Sequence, residues 1–147
     1  MKWIIKLINY LFLVKEIISK SGVVHFRRYR LIQTPWFALY IHHILKSDEE
    51  RDMHDHPWDF SSLILQGAYF ETWKMSPDFK VRRNDSHYRG DVIKHKAEDV
   101  HKITLLTKDV WTLVLTSGRD REWGYRLIDN TWIDQRSYRS LKNKGLL

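Results

Sequence analysis

The feature that most limits what this chain can become is a succession of short β-prone runs, separated by turn residues, that fills nearly everything from Val23 onward. Residues 23–32, 36–45, 61–65, 68–74, 81–84 and 110–116 read as strands, and a last pair at 123–128 and 131–133 flanks Asp129 and Asn130 as a hairpin. Within 36–45 the side chains alternate by face: Phe37, Leu39, Ile41 and His43 share one side, Ala38, Tyr40, His42 and Ile44 the other. No second long helical pattern and no Gly, Ser or Pro-rich linker interrupts the series. The reading is therefore one all-β domain, a sandwich or barrel.

Size and composition agree with this. A chain of 147 residues is long enough for one well-buried core and short for two. Its 7 Trp, 7 Tyr and 6 Phe supply apolar faces that only a packed interior hides, which excludes a disordered chain. With no cysteine, a disulfide framework, a thiolate metal site and a cysteine nucleophile are all excluded, and any metal must sit on nitrogen and oxygen ligands. A net charge of +7 favours anionic partners, but the positives (among them Arg27, Arg28, Arg30, Arg82, Arg83, Arg119 and Arg121) are spread out, as on a solvated surface. Nucleic-acid binding is not expected.

At the start of the chain, Ile4, Leu7, Ile8, Leu11 and Val14 fall near helical spacing and predict an N-terminal α-helix over 1–22, closed at Ser21 and Gly22 by a left-handed cap. Lys6, Asn9, Lys15 and Glu16 break its apolar run well short of the ~20 residues a bilayer span needs, and no small-residue cleavage site follows. The cytoplasm is the expected location, with an interfacial membrane anchor as the alternative use of this helix. The barrel is expected over 23–135, and a basic, irregular tail over 136–147.

His54 and His56 flank Asp55 just after an acidic and polar loop. On a strand, residues two apart project to one face about 7 Å apart, which lets two imidazoles converge on one ion. Taken alone, the pair is also what a surface or hydrogen-bonded pair of histidines gives, and that is the commoner case. The sequence that follows, Pro57-Trp58-Asp59-Phe60-Ser61-Ser62-Leu63-Ile64-Leu65-Gln66-Gly67, is a strand closed by a Gly turn.

This run resembles the first motif of the cupin family: two His one residue apart, a Glu four or five positions later, and a Gly seven beyond that. The second cupin motif opens on Gly and carries a His eleven positions on, a separation matched by Gly90 and His101. The resemblance covers residues 36–128 and rests on His54, His56, Gly67, Gly90 and His101. Phe60 stands where the family has its Glu, Lys96 and Glu98 replace the Pro and Gly of the second motif, and Leu105 replaces its Asn. The resemblance implies a double-stranded β-helix, a jelly-roll barrel. It also implies a three-His metal face of His54, His56 and His101, like that of the thiol dioxygenase branch.

Three nitrogen ligands on one side of a divalent ion leave positions open for water, substrate or O₂. Fe(II) is favoured over Zn, Ni or Cu. Asp59 is the nearest carboxylate that could add a fourth ligand, but alternation from His56 points it away unless Pro57 breaks the strand. Tyr40 and His42 are candidates to line the cavity, although a half-buried strand also carries such residues as core. His95 is expected exposed in a turn. Arg121, in the run Arg119-Asp120-Arg121-Glu122-Trp123, is a candidate to bind an anionic group, against the alternative of a salt-bridged turn. The function read from this is a metal-dependent oxygenase acting on a small, anionic substrate, with homodimers a common state in the family. The alternatives are a metal-free sugar-nucleotide isomerase or epimerase with a histidine base, and a non-enzymatic small-molecule-binding module.

Overall fold

In the computed structural model, which describes residues 12–18, 22–48, 52–74 and 82–147, the strands sort into two antiparallel sheets of six. Across the first sheet run β1 (Leu13–Ile18), β2 (Val24–Gln33), β3 (Phe37–Ile44), β10 (Val110–Ser117), β5 (Phe60–Gln66) and β8 (Val92–His95). Across the second run β12 (Trp132–Asp134), β11 (Gly124–Arg126), β4 (Met53–His54), β9 (Val100–Leu105), β6 (Ala68–Lys74) and β7 (Arg82–Tyr88). Strand β10 shows why the sheets face each other. Val110, Thr112, Val114 and Thr116 are buried, while the residues between them are half-buried or exposed. That is the period of two that a strand with one covered face must carry. Ile64, Tyr69, Ile93 and Val110 form the centre of the core, with Ile44, Ile103 and Leu105 against it. Ile64 and Val110 are almost wholly buried, each contributing roughly 1.5–3 kcal/mol of apolar transfer.

The turn from β5 to β6 depends on Gly67. Its φ of +83° lies in the left-handed region, and a Cβ there would run into the Asp109 carbonyl oxygen. The tight turn thereby sets the register in which β6 enters the second sheet.

Two expectations for the termini are corrected. Residues 1–11 and 19–21 of the expected N-terminal helix lie outside the described residues, but residues 13–18 are the edge strand β1. Pairing with β2 outweighs the local helical spacing, with Glu16 opposite Arg27 and their side chains joined at 2.7 Å. Among the described residues the helix lies at the other end of the chain, as α1 (Gln135–Asn143), where an irregular tail was expected. Asp134 caps it by accepting from the Arg136 and Ser137 amides at 3.0 and 3.1 Å. Tyr138 fastens it to the domain: its buried ring stacks on Tyr125 at 3.9 Å, and its hydroxyl donates to Asp52 at 3.0 Å. No helix among the described residues is long and apolar enough to cross a membrane.

Candidate metal centre

Strand pairing brings the histidines together. In the second sheet β4 lies beside β9 so that His54 is the register partner of His101, and β9 lies beside β6 with His101 opposite Trp73. His56 follows two residues after His54, its ring turned to the same place. The ring centroids of His54, His56 and His101 are 5.2, 4.7 and 4.8 Å apart, and the Nε2 atoms of His56 and His101 face each other at 3.3 Å. Two neighbouring imidazoles and a third from 45 residues beyond His56 thus converge on one point.

Behind them stands Glu71, a residue that sequence reading did not single out. Its carboxylate is fully buried and accepts from His87 Nε2 at 3.0 Å, from His95 Nε2 at 3.0 Å and from His101 Nδ1. Burial alone would raise the Glu71 pKa, but the hydrogen bonds from His101, His87 and His95 outweigh it and hold the group ionised. Burial likewise opposes a proton on His101, and Glu71 overcomes it, raising the His101 pKa. His54 and His56 go the other way. Burial, opposed in part by Asp48, pushes His54 down to about 4. Burial, followed by neighbouring His101 and His54, pushes His56 well below the usual histidine value. Both are therefore neutral imidazoles near pH 7, the form that binds a metal. The Asp48 carboxylate lies 4.0 Å from His54 Nδ1.

Among the described residues, two groups of side chains offer donor atoms lying within 4.8 Å of one another: His54, His56 and His101, and Glu71, His95 and His101. They share His101. His95 is corrected from an exposed turn residue to the buried end of β8, drawn in by Glu71. Phe60, in place of the carboxylate of the first motif, sets its ring against His56 at 4.7 Å and His95 at 4.9 Å. A readable sign of Glu71 was alternation in β6, which puts it on one face with Tyr69 and Trp73, a lone carboxylate among inward aromatics.

The other candidates fall elsewhere. The carboxylate of Asp59 accepts from the Ala97 amide at 2.8 Å and pairs with Lys96 Nζ at 3.0 Å, tying down that loop. Arg121 pairs with Asp55 at 3.0 Å and donates to the Ala97 carbonyl at 2.9 Å. It clamps the backbone behind the histidines, while Arg119 and Glu122 supply the salt-bridged turn. Tyr40 and His42 do face the interior, stacked at 6.0 Å, but their company is a second group: His42 Nε2 accepts from Arg28 Nε at 3.0 Å. Beside it on β1 stands Lys15, whose pKa is pushed down to about 8 by burial first and then by Arg28 and Arg139.

Lys15 has a consequence for stability. Folded, it holds its proton less tightly than the unfolded chain, whose value is near 10.5, so the unfolded state binds more protons across that window. Stability is expected to rise with pH from about 8 toward 10.5, and Lys15→Met is expected to flatten that slope. Urea denaturation at a series of pH values in phosphate-free buffer checks this. An unchanged slope in the variant would assign it to another group.

No protein-family model matches the sequence, and no curated protein does. Solved structures do match in fold. The hydroxypropylphosphonic acid epoxidase from S. wedmorenis is 14% identical with a TM-score of 0.52, covering 69% of this chain and 55% of its own. KdgF from Halomonas sp. is 16% identical with a TM-score of 0.54, covering 75% of this chain and 94% of its own. The SPY1581 protein of unknown function from Streptococcus pyogenes is 16% identical with a TM-score of 0.50, over 71% and 82%. All three are cupin-fold proteins. This chain has the cupin fold. It spans just over half the length of the epoxidase, which is known as an Fe(II) form and with substrate bound.

Proposed function

We propose that this cupin is a cytoplasmic, metal-dependent enzyme of the oxygenase type, holding Fe(II) through His54, His56 and His101 and acting on a small anionic molecule. The observation that carries the reading is the orientation of these imidazoles. His101 donates a hydrogen bond from Nδ1 to the Glu71 carboxylate and His54 turns Nδ1 toward Asp48, so both have their Nε2 sides left for the common point. A carboxylate behind a ligating histidine is what fixes its tautomer and raises its basicity. The donor set fits a divalent metal with imidazole preference, and it leaves coordination positions open.

Glu71, His95 and His101 form the less suitable set. All three are buried, and the Glu71 oxygens are already engaged by imidazole N–H groups. Bound Fe(II) supplies redox chemistry and open positions for a substrate. The chain supplies the rest. Glu71 keeps the His101 proton on Nδ1, burial keeps His54 and His56 neutral, and the Phe60 ring packs against the His56 ring.

The test is metal analysis by mass spectrometry on protein purified without a His tag. His56→Ala is expected to weaken metal binding by more than the roughly 10–100-fold that loss of an outer hydrogen-bond partner costs. Stoichiometric metal in His56→Ala, lost instead in His95→Ala, would move the site to the Glu71 group. Stabilisation of the wild type by a nucleotide sugar, with no metal retained, would favour the metal-free isomerase.

A further inference from the structure

One strip of the first sheet turns cations toward the interior, away from the buried carboxylates of the second sheet's end of the domain such as Glu71, which is already engaged by imidazoles. Lys15 of β1 is the register partner of Arg28 of β2, Arg28 is the partner of His42 of β3, and His42 is the partner of Thr112 of β10. Thr112 is 2% exposed, so this row faces the inside. The guanidinium carbon of Arg28 lies 4.9 Å from the Tyr40 ring centroid and 5.4 Å from that of Trp58. Lys15 Nζ lies 5.8 Å over Trp123, whose ring is 6.3 Å from His54. Among the described residues no carboxylate pairs with either cation, since the neighbouring Glu16 turns to Arg27.

Such an arrangement is unfavourable by itself. Like charges directly opposite on adjacent strands repel, and a charge taken from water without a partner costs free energy. The protein shows that cost: burial lowers the pKa of Arg28, and burial together with Arg28 and Lys15 keeps His42 uncharged. Aromatic faces offset only part of it. A cationic strip with no fixed counter-ion among the described residues is what an incoming anion completes.

We propose that Lys15 and Arg28 form an oxyanion-binding subsite for the anionic head group of the substrate, a carboxylate or a phosphate. From there the substrate reaches, past Trp123 and Trp58, to the histidine cluster. This deepens the functional reading above, on which it rests for the reaction though not for the binding.

The experiment is thermal unfolding of the full chain, with and without EDTA, against inorganic phosphate, acetate and sodium chloride at matched ionic strength. The wild type is expected to gain stability with phosphate or with acetate beyond the chloride control, and whichever acts identifies the head group. In the absence of either anion, Arg28→Met and Lys15→Met are each expected to melt at or above the wild type. Each should need at least about tenfold more anion for the same shift, while exposed Arg30→Met responds like the wild type. Should Arg28→Met fail to fold, Lys15→Met decides alone. A wild type that responds no more than to chloride, or a response that survives both variants, overturns the subsite. Because the response is also read in EDTA, failure of metal binding leaves it intact, and failure of the subsite leaves metal retention intact.

Discussion

Glu71→Gln is expected to destabilise the metal-free protein by about 3 kcal/mol, the order of loss seen when one partner of a buried ionic network is removed. The carboxylate is fully buried and accepts from three imidazoles. An amide of the same shape keeps one acceptor oxygen and turns N–H donors toward another imidazole, so at least one of His87, His95 and His101 loses its partner inside the protein. An unsatisfied buried donor costs about 1–3 kcal/mol, and the His101 tautomer is no longer fixed. Metal binding is therefore expected to weaken by roughly 10–100-fold in the same variant, as for other outer partners of ligating histidines. Urea denaturation in EDTA reads the first effect and metal titration the second. Wild-type stability together with wild-type affinity would show that Glu71 neither holds the fold nor orients His101.

The way Glu71 escaped notice shows how far the sequence could be read. The strand expected over 68–74 coincides with β6, in which alternation puts Glu71 on the inward face with Tyr69 and Trp73. What could not be seen was the trio of imidazoles that makes an inward carboxylate affordable, since His87, His95 and His101 come from three later strands. His95 suffers the same way: flanked by Lys94 and Lys96 it reads as a surface turn, and only the contact with Glu71 shows otherwise. Arg28 sits among Arg27, Tyr29 and Arg30, a run whose charge suggests solvent, although the strand period sends Arg28 in and Arg27 out to Glu16. Strand β10 is legible because burial is written into every second residue, and β3 keeps that period only at Ala38 and Tyr40 before His43 is buried on its other face. The edge strand β1 is not legible, because its conformation is decided by partners on β2. The convergence of His54, His56 and His101 was legible through motif spacing, with geometry adding the carboxylates that aim two of them.

Asp55, between the two histidines of the first motif, provides the other large effect. Alternation points it away from the imidazoles, where it is fully buried and binds three donors from the far end of the chain. The Gly124 amide lies at 2.6 Å, Trp132 Nε1 at 2.8 Å and Arg121 Nη2 at 3.0 Å. The Asp55 amide returns a hydrogen bond to the Gly124 carbonyl at 3.0 Å. The carboxylate thus nails β4 to β11 and β12, and with them the backbone from which His54 and His56 project. Asp55→Ala is expected to cost about 3–5 kcal/mol, because it leaves the Arg121 charge and two N–H groups without their acceptor. Much of that loss belongs to the abandoned Arg121. The double variant Asp55→Ala/Arg121→Met is accordingly expected to be at least about 1 kcal/mol more stable than the sum of the single losses, the coupling found for directly bonded pairs. Additive losses in denaturant titrations would mean that the ion pair contributes nothing. The anchoring would then rest on the Gly124 and Trp132 hydrogen bonds alone.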